Sequence, residues 1–259
     1  MTAKWIWAGA KSPGTSHIAG EVPCQDTFQC RIWNRGAGGP VLIAALADGA
    51  GSAKHALLGA EYATSCVTTF IAEAFDEGMD LQGIECAVEH AIRRTRAELE
   101  LTAERDEASI DDFASTLLIA IVAPTFATIA QIGDGAIVIG DEAGEWLPVH
   151  WPDHGEYANT TSFLTQTDAL AVLEIATFGK SIKRLAMFSD GLERLVLDFS
   201  LREAHKPFFD SIFSRMLPAG TVAHLSHLSM ELEQLLASEA VNSRTDDDKS
   251  LVCAQYVEA

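Results

Sequence analysis

Four aspartates stand at the ends of predicted β-strands, where they could bind a cation. Asp48, Asp134 and Asp190 are each followed by glycine, and Asp247 directly precedes the last predicted strand. Each Asp-Gly pair by itself is typical of an ordinary turn. As a set, the four carboxylates favour a site for Mg²⁺ or Mn²⁺, which prefer oxygen ligands. The Gly49 carbonyl could reach such an ion because glycine has no side chain to block the approach.

A cluster of carboxylates of this kind can hold two cations. Two divalent ions about 3.5–4 Å apart are a common means of converting water into a nucleophile for phosphoryl chemistry. The sequence therefore favours metal-assisted hydrolysis, with a generic acidic cation-binding module as an alternative.

The elements that carry these aspartates alternate between β-rich and α-rich segments. The apolar run 40–47 predicts a buried strand that ends at Asp48. The dipeptide Asp134-Gly135 resembles a hairpin join, so we expect antiparallel sheets in one domain over 1–259. The other predicted strands are 4–10, 27–33, 115–122, 126–133, 136–140, 170–177, 183–190 and 250–257. The predicted helices are 55–77, 81–104, 201–217 and 221–239, with a long loop at 141–170.

The charge balance argues against nucleic-acid binding. The 259 residues include 18 basic and 37 acidic side chains, a net charge of −19, and such a surface repels phosphate backbones. Most of these acids are expected simply to be solvated. Five scattered cysteines indicate buried free thiols rather than disulfides or a zinc site. The sequence has no apolar run long enough for a membrane span and no secretory signal pattern, so we expect a cytoplasmic protein.

Six motifs, in order along the chain, resemble the protein phosphatase 2C family of metal-dependent serine/threonine phosphatases, and its compact bacterial branch in particular. The first two are "CQD" at 24–26 and "ADGAGS" at 47–52. The others are "ASTLLIAIV" at 114–122, "IGDGAIVI" at 132–139, "FSDGL" at 188–192 and "DDKSLVCA" at 247–254. The resemblance implies an α+β fold, an α-β-β-α sandwich of two antiparallel sheets flanked by helices, with the metals in a cleft at one end.

The resemblance also implies roles for individual residues. Asp48 would bridge two Mn²⁺ or Mg²⁺ ions and the Gly49 carbonyl would bind one of them, while Asp190 and Asp247 would complete the other. Asp26 would hold water on the Gly49 side, and Asp134 with Asp190 could serve a third ion. Water activated between the ions would attack phosphorus directly, so Ser189 is interpreted as structural. Asp246 and Asp248, on either side of Asp247, are expected either to support the metal ligands without touching a metal or simply to be solvated.

One expected residue is missing. Family members often have an arginine just before the first acidic motif to grip the phosphate, but no arginine lies between Lys11 and Asp26. His17 or Lys11 could take that role, and we count His17 with Asp48, Asp190 and Asp247 as catalytic candidates. His55 is a candidate proton donor to the leaving group. The missing arginine favours an alternative, a catalytically silent domain that binds a phosphoprotein or a regulatory partner.

The implied partners are a phosphorylated protein substrate and a cognate serine/threonine kinase, with no nucleic acid and no membrane, and we expect a monomer. The loop at 141–170 falls where family members carry a variable flap. Within it, Glu156, Tyr157, Asn159 and Thr160 could contact the substrate, or could belong to a self-packed surface loop.

Overall fold

Two five-stranded sheets, each built from antiparallel pairs, form the centre of the structure. A computed structural model describes residues 4–34, 39–79, 81–141, 144–152, 161–179, 182–216 and 222–258. The first sheet contains, in spatial order, β1 (Lys4–Ser12), β12 (Lys249–Val257), β9 (Arg184–Phe188), β6 (Ala136–Gly140) and β7 (Trp146–Pro148). The second contains β2 (Thr27–Asn34), β3 (Pro40–Ala47), β4 (Leu117–Ala123), β5 (Phe126–Ile132) and β8 (Glu174–Phe178).

Strand β3 shows why the central strands are apolar on both faces. Leu42 and Leu46 face the other sheet in a core that also contains Met187 and Val252. Ile43, from the opposite face, packs in a second core with the helices. Because side chains alternate across a strand, burial of both faces requires an unbroken apolar run.

Helices cover the outer face of each sheet. Helices α2 (Ala56–Asp76) and α3 (Ile84–Arg105) pack on the second sheet, and α5 (Lys206–Met216) and α6 (Val222–Leu236) pack on the first. The predicted α-β-β-α sandwich is therefore confirmed. The shorter elements are α1 (Thr15–Ala19), α4 (Asp190–Val196), α7 (Glu239–Asn242), the hairpin of β10 (Leu197–Asp198) and β11 (Glu203–Ala204), and 3-10 turns at Leu81–Gly83 and Ile110–Phe113.

The Asp134-Gly135 join is not a hairpin, and this prediction was wrong. Strand β5 pairs with β4 and β8 in the second sheet, whereas β6 pairs with β7 and β9 in the first. The turn therefore carries the chain from one sheet to the other. The dipeptide indicates a reversal of the chain but does not determine which strand lies beside which.

Several element boundaries also differ from the prediction. The helix expected over 201–217 begins only at Lys206, because 197–204 forms the β10–β11 hairpin with Arg202 at positive φ. The strand expected at 170–177 begins at Glu174, and the loop 141–170 contains β7. All five cysteines are free, but only Cys253 is fully buried. None of the described helices is long and apolar enough to span a membrane.

Candidate active site

Five of the predicted site residues and His17 lie in or beside one cleft, at the end of the sandwich where β3 ends and α4 begins. The cleft is a cavity of about 210 Å³. Its walls include Asp48, Gly49, Asp134, Asp190 and Asp247 from four distant parts of the chain. The remaining lining residues are His17, Ala50, Gly51, Thr116, Thr161 and Phe163.

The Asp48-Gly49 backbone is held rigidly at the mouth of the cleft. The Asp48 N–H donates to Thr116 Oγ1 at 2.9 Å, and the Thr116 N–H donates to the Asp48 carbonyl at 2.8 Å. A Cβ at position 49 would lie 2.7 Å from the carbonyl oxygen of Ala56, at the start of α2. Glycine is therefore required here by close packing against a helix, in addition to any need for an accessible carbonyl.

Asp134 lies in the tight turn between the two sheets. The residues on either side of it, Gly133 and Gly135, have φ of 91° and 88°, a backbone region that glycine adopts readily. The Thr161 hydroxyl donates to Asp134 Oδ2 at 2.7 Å. The Gly135 N–H donates to Oε1 of the buried Glu193 at 2.9 Å, which fastens the turn to α4.

Asp190 is the first residue of α4, one residue beyond the end of β9. Its Oδ1 atom is buried and has no hydrogen-bond partner among the described residues. An acidic residue in the first turn of a helix lies near the unpaired backbone N–H groups, which favour a negative charge. The carboxylate nevertheless retains a free oxygen that can bind a ligand from outside the chain.

Asp26 is completely buried beside Asp48 and does not line the cavity. Its Oδ2 accepts a hydrogen bond from the Ser189 hydroxyl at 2.5 Å, while Oδ1 has no partner in the described part of the chain. Ser189 Oγ in turn accepts from the backbone N–H of Ser250 at 3.0 Å. This agrees with the structural role predicted for Ser189, since its hydroxyl is already engaged on both sides.

The crowded carboxylates raise one another's pKa. Burial and the charges of Asp26 and Asp190 raise the pKa of Asp48 well above its ordinary value. Burial, with the charges of Asp134 and Asp247, raises the pKa of Asp190 to about 7, and burial raises the pKa of Asp26 to about 6. Burial also raises the pKa of Glu193 to about 8. The carboxylates of the cleft therefore tend to bind either protons or a cation, because ionised carboxylates this close together repel each other.

Asp247 and Asp248 face different partners. Asp247 lines the cleft, and its Oδ1 accepts from the Asp248 N–H at 2.8 Å. Asp248 is buried and accepts hydrogen bonds from the backbone N–H of Gly14 at 2.7 Å and of Gln25 at 2.5 Å. Its Oδ2 lies 2.9 Å from His17 Nδ1. Asp248 thus ties three separate segments together and orients the His17 ring at the edge of the cleft.

Two other candidates are engaged elsewhere. Lys11 Nζ donates to the backbone carbonyl of Asp26 at 2.6 Å and does not line the cavity. His55 packs on Phe113, with ring centroids 5.1 Å apart, and is likewise absent from the cavity wall. Of the three basic or titratable candidates outside the acidic motifs, only His17 lies at the cleft.

The carboxylates fit divalent cations by their chemistry. Within the described residues, no three or more His, Cys, Asp or Glu side chains already stand in the arrangement of a metal cage. The fit rests on two other observations. The donors at the cleft are oxygen atoms, which Mg²⁺ and Mn²⁺ prefer. Buried Oδ1 atoms of Asp26 and Asp190 also lack partners within the described residues, and such atoms are rare in folded proteins unless something binds them.

Some cleft residues were not identified from the sequence alone. Thr116 and Glu193 hold the acidic turns in place, and Phe163 and Thr161 form a wall of the cleft from the predicted flap. Thr116 lies within the motif at 114–122 and Thr161 within the predicted flap at 141–170, so their positions in the sequence were a usable signal. No sequence signal pointed to Glu193, which lies three residues after Asp190. The flap candidates Glu156, Tyr157, Asn159 and Thr160 lie outside the described residues.

Comparison with known proteins identifies the family. The sequence model described as protein phosphatase 2C matches residues 13–237, most of the chain. The chain belongs to the protein phosphatase 2C family. It is 37% identical to a protein named serine/threonine-protein phosphatase 3 from Escherichia coli (strain K12), over 98% of this chain and 99% of that one. The family resemblance and the expectation of a phosphatase are thereby confirmed.

Two solved structures of serine/threonine phosphatases share the fold at low sequence identity. The catalytic domain of the serine/threonine protein phosphatase PstP, solved with two manganese ions, has a TM-score of 0.60 and 18% identity, and the match covers 99% of this chain and 100% of that one. A serine/threonine phosphatase from Staphylococcus aureus has a TM-score of 0.62 and 16% identity, over 100% of this chain and 97% of that one.

Proposed function

We propose that this chain is a Mn²⁺- or Mg²⁺-dependent phosphatase that removes phosphate from phosphoserine and phosphothreonine in proteins. The observation that carries the proposal is the meeting of Asp48, Asp134, Asp190 and Asp247 at one cleft. The serine/threonine specificity is supported by the name of the relative that is 37% identical over nearly the whole of both chains. The 98% coverage also supports one catalytic domain over 1–259.

The residues proposed to hold two ions are those at the cleft mouth. Asp48, the Gly49 carbonyl, Asp190 and Asp247 would together hold the two ions. Asp134 with Asp190 could hold a third ion. When bound, the ions would supply a Lewis acid that activates water for attack on phosphorus and neutralise the charge of the phosphate. The two manganese ions named for PstP support this number of ions.

The chain's own residues orient the reactants. Asp26, with Oδ2 fixed by Ser189 and Oδ1 without a hydrogen-bond donor within the described residues, would accept a hydrogen bond from water beside Asp48. Because Asp248 occupies His17 Nδ1, Nε2 is the ring nitrogen left to contact a phosphate oxygen or to give a proton to the leaving group. His17 is therefore the proposed replacement, in part, for the missing arginine.

The first experiment measures hydrolysis after chelation, with and without added Mn²⁺. The substrates are p-nitrophenyl phosphate and a phosphothreonine peptide, and the proteins are the wild type and Asp48→Asn. We expect turnover that requires Mn²⁺ and is abolished in the variant. Mn²⁺ binding without turnover of either substrate would contradict the proposal and favour the silent phosphatase-like domain. The expectations of a monomer, a cytoplasmic location and a cognate kinase stay predictions.

A further inference from the structure

A second cavity adjoins the cleft on the far side of two of its acids. It measures about 300 Å³ and shares Asp190 and Asp247 with the cleft. Its wall also contains Arg194 and Arg244. The rest of the wall is Gly191, Leu195, Thr245 and Asp246.

The local sequence places both arginines close to the proposed metal ligands. Arg194 follows Asp190 by four residues in α4, and this spacing puts the two side chains on the same face of a helix. Arg244 precedes Asp247 by three residues, in the turn between α7 and β12. Because each arginine is only three or four residues from an aspartate of the cleft, both can contact a substrate peptide that is bound there.

Neither guanidinium forms a hydrogen bond or a salt bridge with the described residues, although the charge of Arg194 acts on the neighbouring Glu193. Although Arg194 and Asp190 have the spacing of a helical ion pair, they do not form one, and within the part of the chain that the structure describes the Arg244 side chain has no ion pair or hydrogen bond. Other described arginines each contact a partner. Those contacts are Arg31 with Thr68, Arg93 with Glu89, Arg94 with Glu73, Arg96 with Leu164, Arg105 with Asp106, Arg184 with Trp146, Arg202 with Trp151 and Arg215 with Glu231.

Unpaired arginines are notable in a chain with a net charge of −19. With cations bound in the cleft, the charges of Asp190 and Asp247 would be neutralised, and Asp246 would remain as the one other acid among the described residues that line this cavity. The cavity would then be a basic spot on an acidic surface. A guanidinium binds carboxylate and phosphate groups through two parallel hydrogen bonds, which makes the contact both strong and directional.

We infer that Arg194 and Arg244 form a subsite for a second anionic group on the substrate, a carboxylate or an additional phosphate close to the phosphorylated residue. The inference rests on the proposed phosphatase function and extends it to the class of substrate. The enzyme would therefore act best on phosphopeptides whose neighbouring residues are negatively charged. The rest of the acidic surface would repel such peptides. The position of the two arginines would therefore determine how far the second anionic group must lie from the phosphorylated residue for that residue to reach the cleft.

The test compares kcat/KM for three phosphothreonine peptides. The residues beside the phosphothreonine are neutral in the first peptide and glutamates in the second, and the third peptide carries a second phosphothreonine. The proteins are the wild type, Arg194→Ala, Arg244→Ala and the double variant. Arg93→Ala is the matched control, because it removes an exposed arginine whose ion pair with Glu89 on α3 has little energetic value. All assays contain Mn²⁺, and p-nitrophenyl phosphate reports whether the cleft itself still works.

We expect the wild type to prefer an anionic peptide over the neutral one by about tenfold, the size of one charge-assisted contact. The preference should fall towards one in the double variant, persist in Arg93→Ala, and weaken as salt is raised. A preference for the glutamate peptide alone would identify a carboxylate subsite, and one for the doubly phosphorylated peptide a phosphate subsite.

Two results would overturn the inference while leaving the phosphatase proposal intact. One is Mn²⁺-dependent turnover by the wild type with no preference for either anionic peptide. The other is an equal loss on all substrates, including p-nitrophenyl phosphate, in the arginine variants. By contrast, absence of Mn²⁺-dependent turnover of every substrate by the wild type would overturn the proposed function and the inference together.

Discussion

The aspartates of the cleft differ from those on the outer surface of the same domain in what surrounds their charge. Asp210 accepts from the Trp146 indole N–H at 2.8 Å and pairs with Lys206 at 3.1 Å, and these contacts lower its pKa. Asp190, in contrast, is largely buried beside other carboxylates, and this burial, with the charges of Asp134 and Asp247, raises its pKa to about 7. The surface acid is satisfied by the protein, whereas the cleft acid requires a charge from outside.

This contrast separates acids that stabilise the fold from acids that are kept for function. In a protein with an excess of acidic residues, most carboxylates need only solvent or a nearby donor. Burial of several carboxylates close together, with too few donors to satisfy all their oxygens, destabilises the free protein. Such an arrangement is typical of a functional site, where the destabilisation is relieved by the ligand.

The sharpest test of the contrast replaces one acid of each kind. We expect Asp190→Asn to lower Mn²⁺-dependent kcat by about a thousandfold or more, equivalent to about 4 kcal/mol in the activation free energy. Asp210→Asn should change it by less than about twofold, because that side chain does not touch the cleft. Steady-state hydrolysis of p-nitrophenyl phosphate measures both, and an Asp190→Asn enzyme with near wild-type kcat would remove the basis of the contrast.

Mn²⁺ should also stabilise the protein through the cleft acids alone. At a free concentration of about 100 times Kd, a ligand that binds only the folded state adds about 2.7 kcal/mol to the free energy of unfolding. That gain corresponds to a rise in Tm of about 5–11 °C for a domain of this size. We expect the rise in the wild type and in Asp210→Asn, and a much smaller one in Asp190→Asn. Differential scanning calorimetry provides the measurement, and equal rises in all three would contradict the assignment of the site.

The chelated protein should lose stability as pH rises from about 4 to about 7. The pKa of Asp190 is raised from its ordinary value to about 7. The folded state therefore holds a proton that the unfolded state releases across this window, and the free energy of unfolding falls as pH increases. One proton gives a slope of about 1.4 kcal/mol per pH unit.

Asp190→Asn should make this slope shallower by about the contribution of one proton in denaturant titrations, because asparagine does not ionise, while the raised pKa values of Asp26, Asp48 and Glu193 maintain the remainder. Asp210→Asn should leave the slope in place, since the pKa of Asp210 is lowered and its titration lies below the window. A chelated wild type whose stability rises steadily from pH 4 to pH 7 would contradict the raised pKa values.

The smallest effect concerns the Ser189 hydroxyl, which donates to the buried Asp26. Ser189→Ala removes the hydroxyl that binds Asp26 Oδ2, and we expect a loss of about 1 kcal/mol in the free energy of unfolding. Ser200→Ala is the matched control, because Ser200 Oγ donates to the exposed Asp198 at 2.6 Å. We expect Ser200→Ala to lower the free energy of unfolding by less than about 0.5 kcal/mol. Equal costs measured by urea unfolding would show that burial of the acceptor does not matter here.

Local sequence patterns determined much of this protein. The run 40–47 predicts a strand with both faces buried, and β3 spans Pro40–Ala47 with one face on each of two cores. The helical spacing over 55–77 predicts α2 to within a residue. Ordered motifs also indicated which acids belong together, because acids and glycines at strand ends are visible without knowledge of the strand order.

Tertiary structure alone decided which strands are neighbours and what each acid contacts. Asp134-Gly135 indicates a turn, but only strand pairing shows that this turn joins two sheets. Asp247 and Asp248 are adjacent in sequence, and only the fold directs one to the cleft and the other to His17. The physical reason is that backbone preference and hydrophobic periodicity act over a few residues, whereas pairing, burial and electrostatic coupling depend on residues brought together from distant parts of the chain.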